Sequence, residues 1–377
     1  MKILIITCGV GIGHASRSLT LSKILKKHGH ETIFASYNAG LHFIHKNNEE
    51  VYPIPAMNFQ GEDGEIDIEK TVSKSKDIPF TFIKSLIEEY KIIKKTNPDI
   101  IITDSDYGAV FVSKILKKPC YIITNDLEFG FSNSTDKRYI KYLEKFIKKL
   151  ILGISKLADA ILIPDIPGSV DVPRKLEDKT HFIGSLIYHD ETLTKDDLRR
   201  KYGVGVDAKV IVVTIGGSDF GKILIENMCD IAHTLDVDYI YMFTGFEINP
   251  DEFKCKVRSN NVIIKQFTYN LVEWMKLSDL TVALAGHTTT MELISIAKPN
   301  ILIPLKNHIE QQKNIERIKP YNITQTLDIN NKDQLKTTIN ETLKKLDTIK
   351  VDEKQHKEFM KYDGCQNTLK IIEENNI

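Results

Sequence analysis

Two short stretches of the chain carry residue types from which a reactive site could be built. The first is Cys8-Gly9-Val10-Gly11-Ile12-Gly13-His14-Ala15-Ser16-Arg17. Its three alternating glycines permit positive φ and let backbone approach a ligand closely. His14 stands where a strand-like run gives way to a helix. An imidazole there, with an ordinary pKa of about 6.5, can serve as a general base near neutrality. Its plainer role would be to cap the loop by hydrogen bonding. Arg17, one turn on, is either a solvated helix residue or a support for a phosphate or for His14 itself. The second stretch runs from Leu280 to Asn314 (LTVALAGHTTTMELISIAKPNILIPLKNHIEQQKN). Gly286-His287-Thr288-Thr289 opens a helix there, and a helix N-terminus presents amide hydrogens and a partial positive charge to an anion. Glu292 has two readings. Thr289-Thr290-Met291-Glu292 is a capping-box string, but the same carboxylate could accept hydrogen bonds from two neighbouring ribose hydroxyls. Gln311 and Gln312 could read sugar hydroxyls through both faces of their amides, or be an ordinary surface pair.

Other candidates repeat this logic. Gly216-Gly217-Ser218 is again strand, glycine turn, hydroxyl and helix, suited to phosphate oxygens. Asp104 and Asp106 follow one strand and Asn125-Asp126 another. Either pair could orient an acceptor hydroxyl or take its proton, and either could be a turn former or helix cap. Phe267 lies just past a strand, where a nucleobase could rest. The glycine loop is not a dinucleotide fingerprint: from Gly9 that register puts His14 at the third glycine, and the second strand ends in Phe34-Ala35-Ser36 without a ribose-holding acid. It is not a P-loop either, since no Gly-Lys-Ser/Thr follows. Asp104-Ser105-Asp106, with no other ligands in pattern, is poor evidence for a metal.

The elements that must position these residues are strands joined by helices. Ile3–Thr7, Thr32–Ser36, Pro98–Thr103, Pro119–Thr124 and Asp159–Pro164 are short continuous apolar runs, the mark of a parallel sheet covered on both faces. Ser16–Lys27 is an amphipathic helix between the first two. The pattern restarts with Lys209–Thr214, Tyr239–Phe243, Val262–Lys265, Leu280–Leu284 and Asn300–Ile303. With 377 residues, 42% hydrophobic and 27% charged, the chain fits two ordinary globular domains. We expect a doubly wound α/β domain over residues 1–187 and a second over 188–377, facing each other across a cleft, with the last helix free to pack back on the first. Residues 60–77 lack an apolar period and read as a loop.

Composition excludes several classes. The 51 basic and 51 acidic residues cancel, so no global field invites nucleic acid. Five scattered cysteines without a CxxC pair favour reduced thiols in a cytoplasm over a disulfide framework or zinc site. Met1 leads straight into a strand without a leader-like segment, and no apolar run approaches the ~20 residues of a membrane span. Thr81–Lys95 and Lys137–Lys156 are basic amphipathic segments. The preferred reading is that they are ordinary outer helices of the sheet; the alternative places them on an anionic membrane surface.

Assembled, Gly9 to Arg17, Gly216 to Ser218 and Ala285 to Gln312 resemble glycosyltransferase family 28 of the GT-B fold. That group includes the bacterial peptidoglycan N-acetylglucosaminyltransferase and plant monogalactosyldiacylglycerol synthase. The Gly-x-Gly-x-Gly-His-Ala-x-Arg-Ser segment, Gly9 to Ser18, is most similar to an archaeal branch of glycosyltransferases. The resemblance implies a donor site in the C-terminal domain: Glu292 on ribose, Gly286 to Thr289 with Gly217 and Ser218 on the diphosphate, Phe267 at the base, Gln311 and Gln312 on the sugar. It implies that the glycine loop with His14 faces the acceptor; with the positional readings above, Gly11, Gly13, Arg17, Asp104 and Asn125 are expected to bind it in the N-terminal domain, with His14, or else Asp126, as base. A hexose or N-acetylhexosamine would pass from a nucleotide-diphosphate sugar, UDP-linked first, to a small-molecule, glycan or lipid-linked acceptor. Transfer would invert the anomeric centre, without an essential metal or other cofactor, in the cytoplasm or at the inner face of the membrane. A nucleotide-sugar hydrolase, a 2-epimerase and a non-catalytic nucleotide-sugar binder are the other readings. Two positions depart from the family pattern: Ala285-Gly286-His287 stands for the usual Ser-Gly-Ala, and the N-terminal loop lacks paired glycines.

Overall fold

The computed structural model describes residues 1–56, 61–62, 65–66, 78–127, 138–187, 192–217, 219–254, 256–257, 259–306 and 308–374. Contacts divide the chain into two compact units. One comprises Met1–Gln60, Asp67–Ile187 and Lys361–Ile377, the other Gly61–Ile66 and Tyr188–Met360.

In the first unit β1 (Lys2–Thr7), α1 (Gly13–Lys27), β2 (Glu31–Ser36), α2 (Asn38–Lys46) and β3 (Val51–Pro53) run in order. The small antiparallel pair β4 (Gly61–Glu62) and β5 (Glu65–Ile66) falls within the stretch read as loop; the remainder of 60–77 lies outside the described residues. Then come α3 (Ile78–Thr96), β6 (Ile100–Asp104), α4 (Tyr107–Ile115), β7 (Cys120–Ile123), α5 (Arg138–Ser155), β8 (Ala160–Ile163) and β9 (Thr180–Phe182). The sheet order is β3-β2-β1-β6-β7-β8-β9, and each pair is parallel. The order reverses between β1 and β6. Right-handed crossovers therefore put α1 and α2 on one face and α3, α4 and α5 on the other.

The second unit repeats the plan: α6 (Lys195–Tyr202), β10 (Val210–Thr214), α7 (Lys222–Ile231), β11 (Tyr239–Phe243), β12 (Val262–Lys265), α8 (Leu271–Leu277), β13 (Leu280–Leu284), α9 (His287–Ser295), β14 (Asn300–Ile303), α10 (Ile309–Ile318), β15 (Thr324–Thr326), α11 (Lys332–Lys344) and α12 (Glu353–Phe359). Its parallel order, β12-β11-β10-β13-β14-β15, reverses between β10 and β13. The final helix, α13 (Gly364–Glu374), packs on α1 of the first unit. Gly364 N donates to Ser185 O at 3.2 Å and Asn367 Nδ2 to Ile183 O at 2.8 Å. A Cβ on Gly184, whose φ is +85°, would sit 2.3 Å from Tyr362 O, so this return of the chain requires glycine.

The central strands are buried along nearly their whole length because both faces are covered. Three of the four edge strands, β3, β9 and β15, have three residues each and are partly exposed, so no apolar run marks them in the sequence. One boundary near the candidate residues moves. The helix expected from Ser16 begins at Gly13, which puts His14 in its first turn. Gln311 and Gln312 lie in the first turn of α10. Cys8, Cys120, Cys229 and Cys365 are free thiols, and no described helix is long and apolar enough to cross a membrane.

Candidate active site

In open parallel sheets ligands bind beyond the carboxyl ends of the strands, at the point where strand order reverses. In the first unit that point lies between β1 and β6, and it carries His14, Arg17 and Asp104. The glycines ahead of them do separate jobs. A Cβ on Gly9 would lie 1.9 Å from Tyr37 O, so Gly9 lets the loop press against the start of α2. Gly11 takes φ +67° with nothing within 4 Å of where its Cβ would be, which leaves this backbone approachable. Gly13 opens α1, whose N-cap, Ile12, offers no side-chain bond. His14 is therefore not the cap.

His14 Nδ1 lies 2.8 Å from Asp104 Oδ1. Arg17 is 3% exposed, and its Nε donates to Asp104 Oδ2 at 2.6 Å. Arg17 Nη2 reaches Asp104 Oδ1 at 2.5 Å and stands 3.1 Å from His14 Nδ1. Arg17 Nη1 donates to Asn125 Oδ1, and Ser18 Oγ to Asp104 Oδ2 at 3.3 Å. Burial would raise the Asp104 carboxyl, but the charges and hydrogen bonds of Arg17 and His14 outweigh it and hold the group well below the usual carboxylate range. An ionised Asp104 only accepts, so the shorter, charge-assisted contact assigns a proton to His14 Nδ1. In the neutral imidazole Nε2 then keeps its lone pair, and the side chain of His14 is 23% exposed.

Asp104 thus differs from the expectation that it binds acceptor. It has no exposed surface and both its oxygens are occupied, so it positions His14 and Arg17. Arg17 is likewise committed within the protein. Asp106 caps α4 by accepting from Gly108 N and Ala109 N, the structural role weighed for it. Asn125 is buried and holds Arg17, whereas Asp126 is half-buried at the end of β7. Ser18 was missed; its only sequence signal is a hydroxyl one residue after Arg17, unremarkable in an amphipathic helix.

In the second unit the reversal lies between β10 and β13, beside Gly216-Gly217 and Gly286. Gly216 takes φ +75°, and a Cβ on Gly245 would sit 2.4 Å from Gly216 O. Ser218 lies outside the described residues. Gly286 is the N-cap of α9, with no side-chain cap, no acidic residue in the first turn, and open space where its Cβ would be. His287 is buried, and Thr288 and Thr289 half-buried, in that turn. The helix begins before the capping-box string, which puts Thr289 inside it, and Thr290 Oγ1 donates to Gly286 O at 2.8 Å. The cap reading of Glu292 therefore fails. Glu292 is 9% exposed, and no hydrogen bond to its carboxylate is present among the described residues. Burial pushes its pKa up to about 8.

Gln311 and Gln312 do not act together, because adjacent helix positions point about 100° apart. Gln311 is buried and its Oε1 accepts from Leu305 N at 2.7 Å; Gln312 is exposed. Asn314, also missed, is fully buried. Its Nδ2 donates to Ala285 O at 2.8 Å, tying α10 to the turn before α9. His308, the N-cap of α10, has its pKa lowered by burial. Phe267 is half-buried past β12 and stacks on Phe246 at 4.3 Å, with Tyr269 edge-on at 4.9 Å. Phe246 follows Gly245 after β11, so these rings stand by the Gly216 turn.

Similarity to known proteins agrees with this geometry. The glycosyltransferase family 28 C-terminal domain matches residues 210–367, and glycosyl transferase family 1 matches residues 1–160. The chain is a glycosyltransferase of the GT-B fold whose C-terminal part matches the family 28 domain. An uncharacterized glycosyltransferase of Methanopyrus kandleri is 27% identical over 307 residues, 79% of this chain and 84% of the relative. The UDP-N-acetylglucosamine--N-acetylmuramyl-(pentapeptide) pyrophosphoryl-undecaprenol N-acetylglucosamine transferase of Staphylococcus haemolyticus is 24% identical over 81% of this chain and 79% of its own length. Among solved structures, the kitacinnamycin glycotransferase superposes with TM-score 0.67 at 15% identity, covering 99% of this chain and 98% of that one. This GT-B glycosyltransferase therefore carries its two candidate sites at the two switch points of its sheets.

Proposed function

We propose that this glycosyltransferase moves a hexose or N-acetylhexosamine from a nucleotide-diphosphate sugar, UDP-linked first, to an acceptor hydroxyl. The observation that carries the reading is the His14–Asp104 pair: a buried carboxylate fixes one imidazole nitrogen and leaves the other on the partly exposed side chain. Nε2 of His14 takes the acceptor proton as the oxygen attacks the anomeric carbon. Attack opposite the leaving group inverts that carbon. Asp104 keeps the imidazole in the required tautomer and balances the charge it gains.

The donor is assigned to the second unit. The carboxylate of Glu292 receives the ribose hydroxyls and the Phe267 region the base. The α9 N-terminus with Gly217 and Ser218 meets the diphosphate, so that amide hydrogens and the helix dipole supply charge stabilisation without a required metal. Gln312 is assigned to the sugar, while Gln311 stays with Leu305 N. The relative that uses UDP-N-acetylglucosamine by name supports UDP as the first nucleotide to try. No nucleic acid partner is proposed.

The test is to incubate the protein with UDP-, GDP-, dTDP- and CMP-sugars, with and without membrane lipid extract, and follow nucleotide release. Release that requires acceptor supports transfer. Release without acceptor, or donor binding without any turnover, overturns it in favour of hydrolysis or sensing.

A further inference from the structure

On a covering helix the apolar stripe normally faces the core. Helix α3 instead turns two polar side chains inward. Ser85 and Glu89 are buried, Glu89 to 1% exposure, while Phe80, Ile83, Ile87 and Tyr90 are exposed on the outer face. Ser85 Oγ donates to Glu89 Oε1 at 2.8 Å, and Glu89 Oε2 has no hydrogen-bond partner among the described residues. Across from it lies the first turn of α4, the helix on which α3 packs. A Cβ on Gly108 would sit 3.2 Å from Glu89 Oε2 and 3.4 Å from Asp106 Oδ1. Two carboxyl groups therefore close on one point, and glycine leaves room for them.

Among the described residues no cation faces this pair. Lys84, Lys91, Lys94 and Lys95 of α3 are exposed and lie against Phe80, Glu88, Tyr90 and Tyr52. Lys114 of α4 is exposed, and the Tyr107 hydroxyl is 3.3 Å from Thr124 Oγ1. Cys120 of β7, Cys8 of the glycine loop and Tyr37 ahead of α2 face the cluster. Burial raises the pKa of each, and the charge of Asp106 adds to it. Two buried carboxylates in such surroundings cannot both stay charged. Asp106 keeps its charge better, because its Oδ1 accepts from Gly108 N at 3.0 Å and Ala109 N at 3.2 Å, at the positive end of α4. Glu89 has only the Ser85 hydroxyl. Burial, and then the charge of Asp106, push it well above the usual carboxylate range.

The Asp106 cap is tied to the candidate site. Thr103 Oγ1 donates to Asp106 O and accepts from Asp106 N at 3.2 Å. Residues 103–106 thus form a closed turn in which Ser105 takes φ +61°, uncommon for a residue with a side chain. Asp104, which fixes His14 Nδ1, lies inside that turn.

We propose that Glu89 is a positioning residue for His14. Its protonated carboxyl donates from Oε2 to the Asp106 carboxylate, seats α3 on the cap of α4 and so steadies the turn that carries Asp104. Its effect on turnover rests on the reading of His14 as base. Loss of the proton to solvent sets two negative charges against each other beside Gly108, loosens the cap and lets Asp104 move from the imidazole. A carboxyl raised in the folded protein contributes stability that is complete below its unfolded value of 4.5 and is lost as pH rises.

The test uses the full-length protein, with Glu89→Gln keeping a donor at this position and Glu89→Leu removing it. Glu89→Gln should melt with wild type in acid and increasingly above it as pH rises to about 9. The ring-nitrogen NMR signals of His14 are assigned by their loss in His14→Ala. They should show the Nδ1 bond to Asp104 giving way at alkaline pH in wild type, persisting in Glu89→Gln and weakened at every pH in Glu89→Leu. At saturating donor, which keeps the titration of Glu292 out of the readout, wild-type kcat should fall along an alkaline limb that Glu89→Gln lacks. Glu89→Leu should lower kcat about tenfold or more with the KM for donor unchanged. Parallel melting of wild type and Glu89→Gln across the pH range would overturn the proposal, as would an unmoved His14 signal in folded Glu89→Leu. Neither of these readouts needs turnover. A His14 signal that responds as stated in a protein that transfers nothing supports the positioning role and removes the base reading.

Discussion

The two switch points solve opposite electrostatic problems. Around Asp104 every strong donor has a partner: Arg17, His14 and Ser18 converge on one buried carboxylate, and Asn125 takes the remaining guanidinium arm. Glu292 is a buried carboxylate with no such company. Compensation holds Asp104 ionised, while burial lifts Glu292 toward neutrality. On the proposed reading, the contrast is between a positioning group satisfied by the protein in advance and a binding group that keeps its hydrogen-bonding capacity for the ligand, at the expense of stability.

The largest effect should come from breaking the satisfied side. Asp104→Asn leaves the Arg17 guanidinium buried without its counter-charge, so the first unit should lose roughly 3–5 kcal/mol, read as a fall in melting temperature. Turnover should fall as well, because an amide does not fix the imidazole tautomer. His14→Ala separates these consequences. It should lower turnover by about 10²- to 10⁴-fold and leave UDP binding unchanged; wild-type turnover would remove His14 as the base.

Glu292→Gln probes the other side and should have a double effect. The raised carboxyl contributes stability that is fully present below its unfolded value near 4.5 and is lost as pH rises to about 8. The neutral amide should therefore stabilise the ligand-free protein increasingly above pH 4.5, by up to ~4 kcal/mol near pH 8, while changing little in acid. Donor binding should weaken at least about tenfold at pH 8, since charge-assisted hydrogen bonds are lost. In the wild type, ribose hydroxyls favour the ionised form, so donor binding should release a proton and tighten as pH rises toward 8. Calorimetry in two buffers of different protonation enthalpy measures that proton directly. Asp104 trends the other way: its stability is present above its unfolded value near 3.8 and is lost only in acid. The smallest effect is expected from Asn314→Ala. It should leave turnover at saturation nearly unchanged and raise the KM for donor a few-fold, because only the tie to Ala285 O is lost, roughly 1 kcal/mol.

The sequence alone determined what local pattern encodes. Continuous apolar runs marked β1, β2, β6, β7, β8, β10, β11, β13 and β14, because a strand buried on both faces has no choice but to be apolar; β12, a partly exposed edge strand, was marked by its own run Val262–Ile264. The glycine turns announced themselves because positive φ and close backbone approach exclude other residues. The short edge strands escaped, since three half-exposed residues carry no period. Roles were another matter. Whether Asp104 or Asp106 caps a helix, whether Glu292 meets Thr289, and whether Gln311 and Gln312 face one way all depend on helix starts shifted by only a few residues. Amphipathicity of Thr81–Lys95 was legible, but which face turns outward was not: periodicity gives a stripe without giving its direction. Burial, charge compensation and orientation are properties of groups brought together from positions 14, 17, 104 and 125. Only the tertiary structure decides those, because a carboxylate's chemistry is set by its neighbours in space.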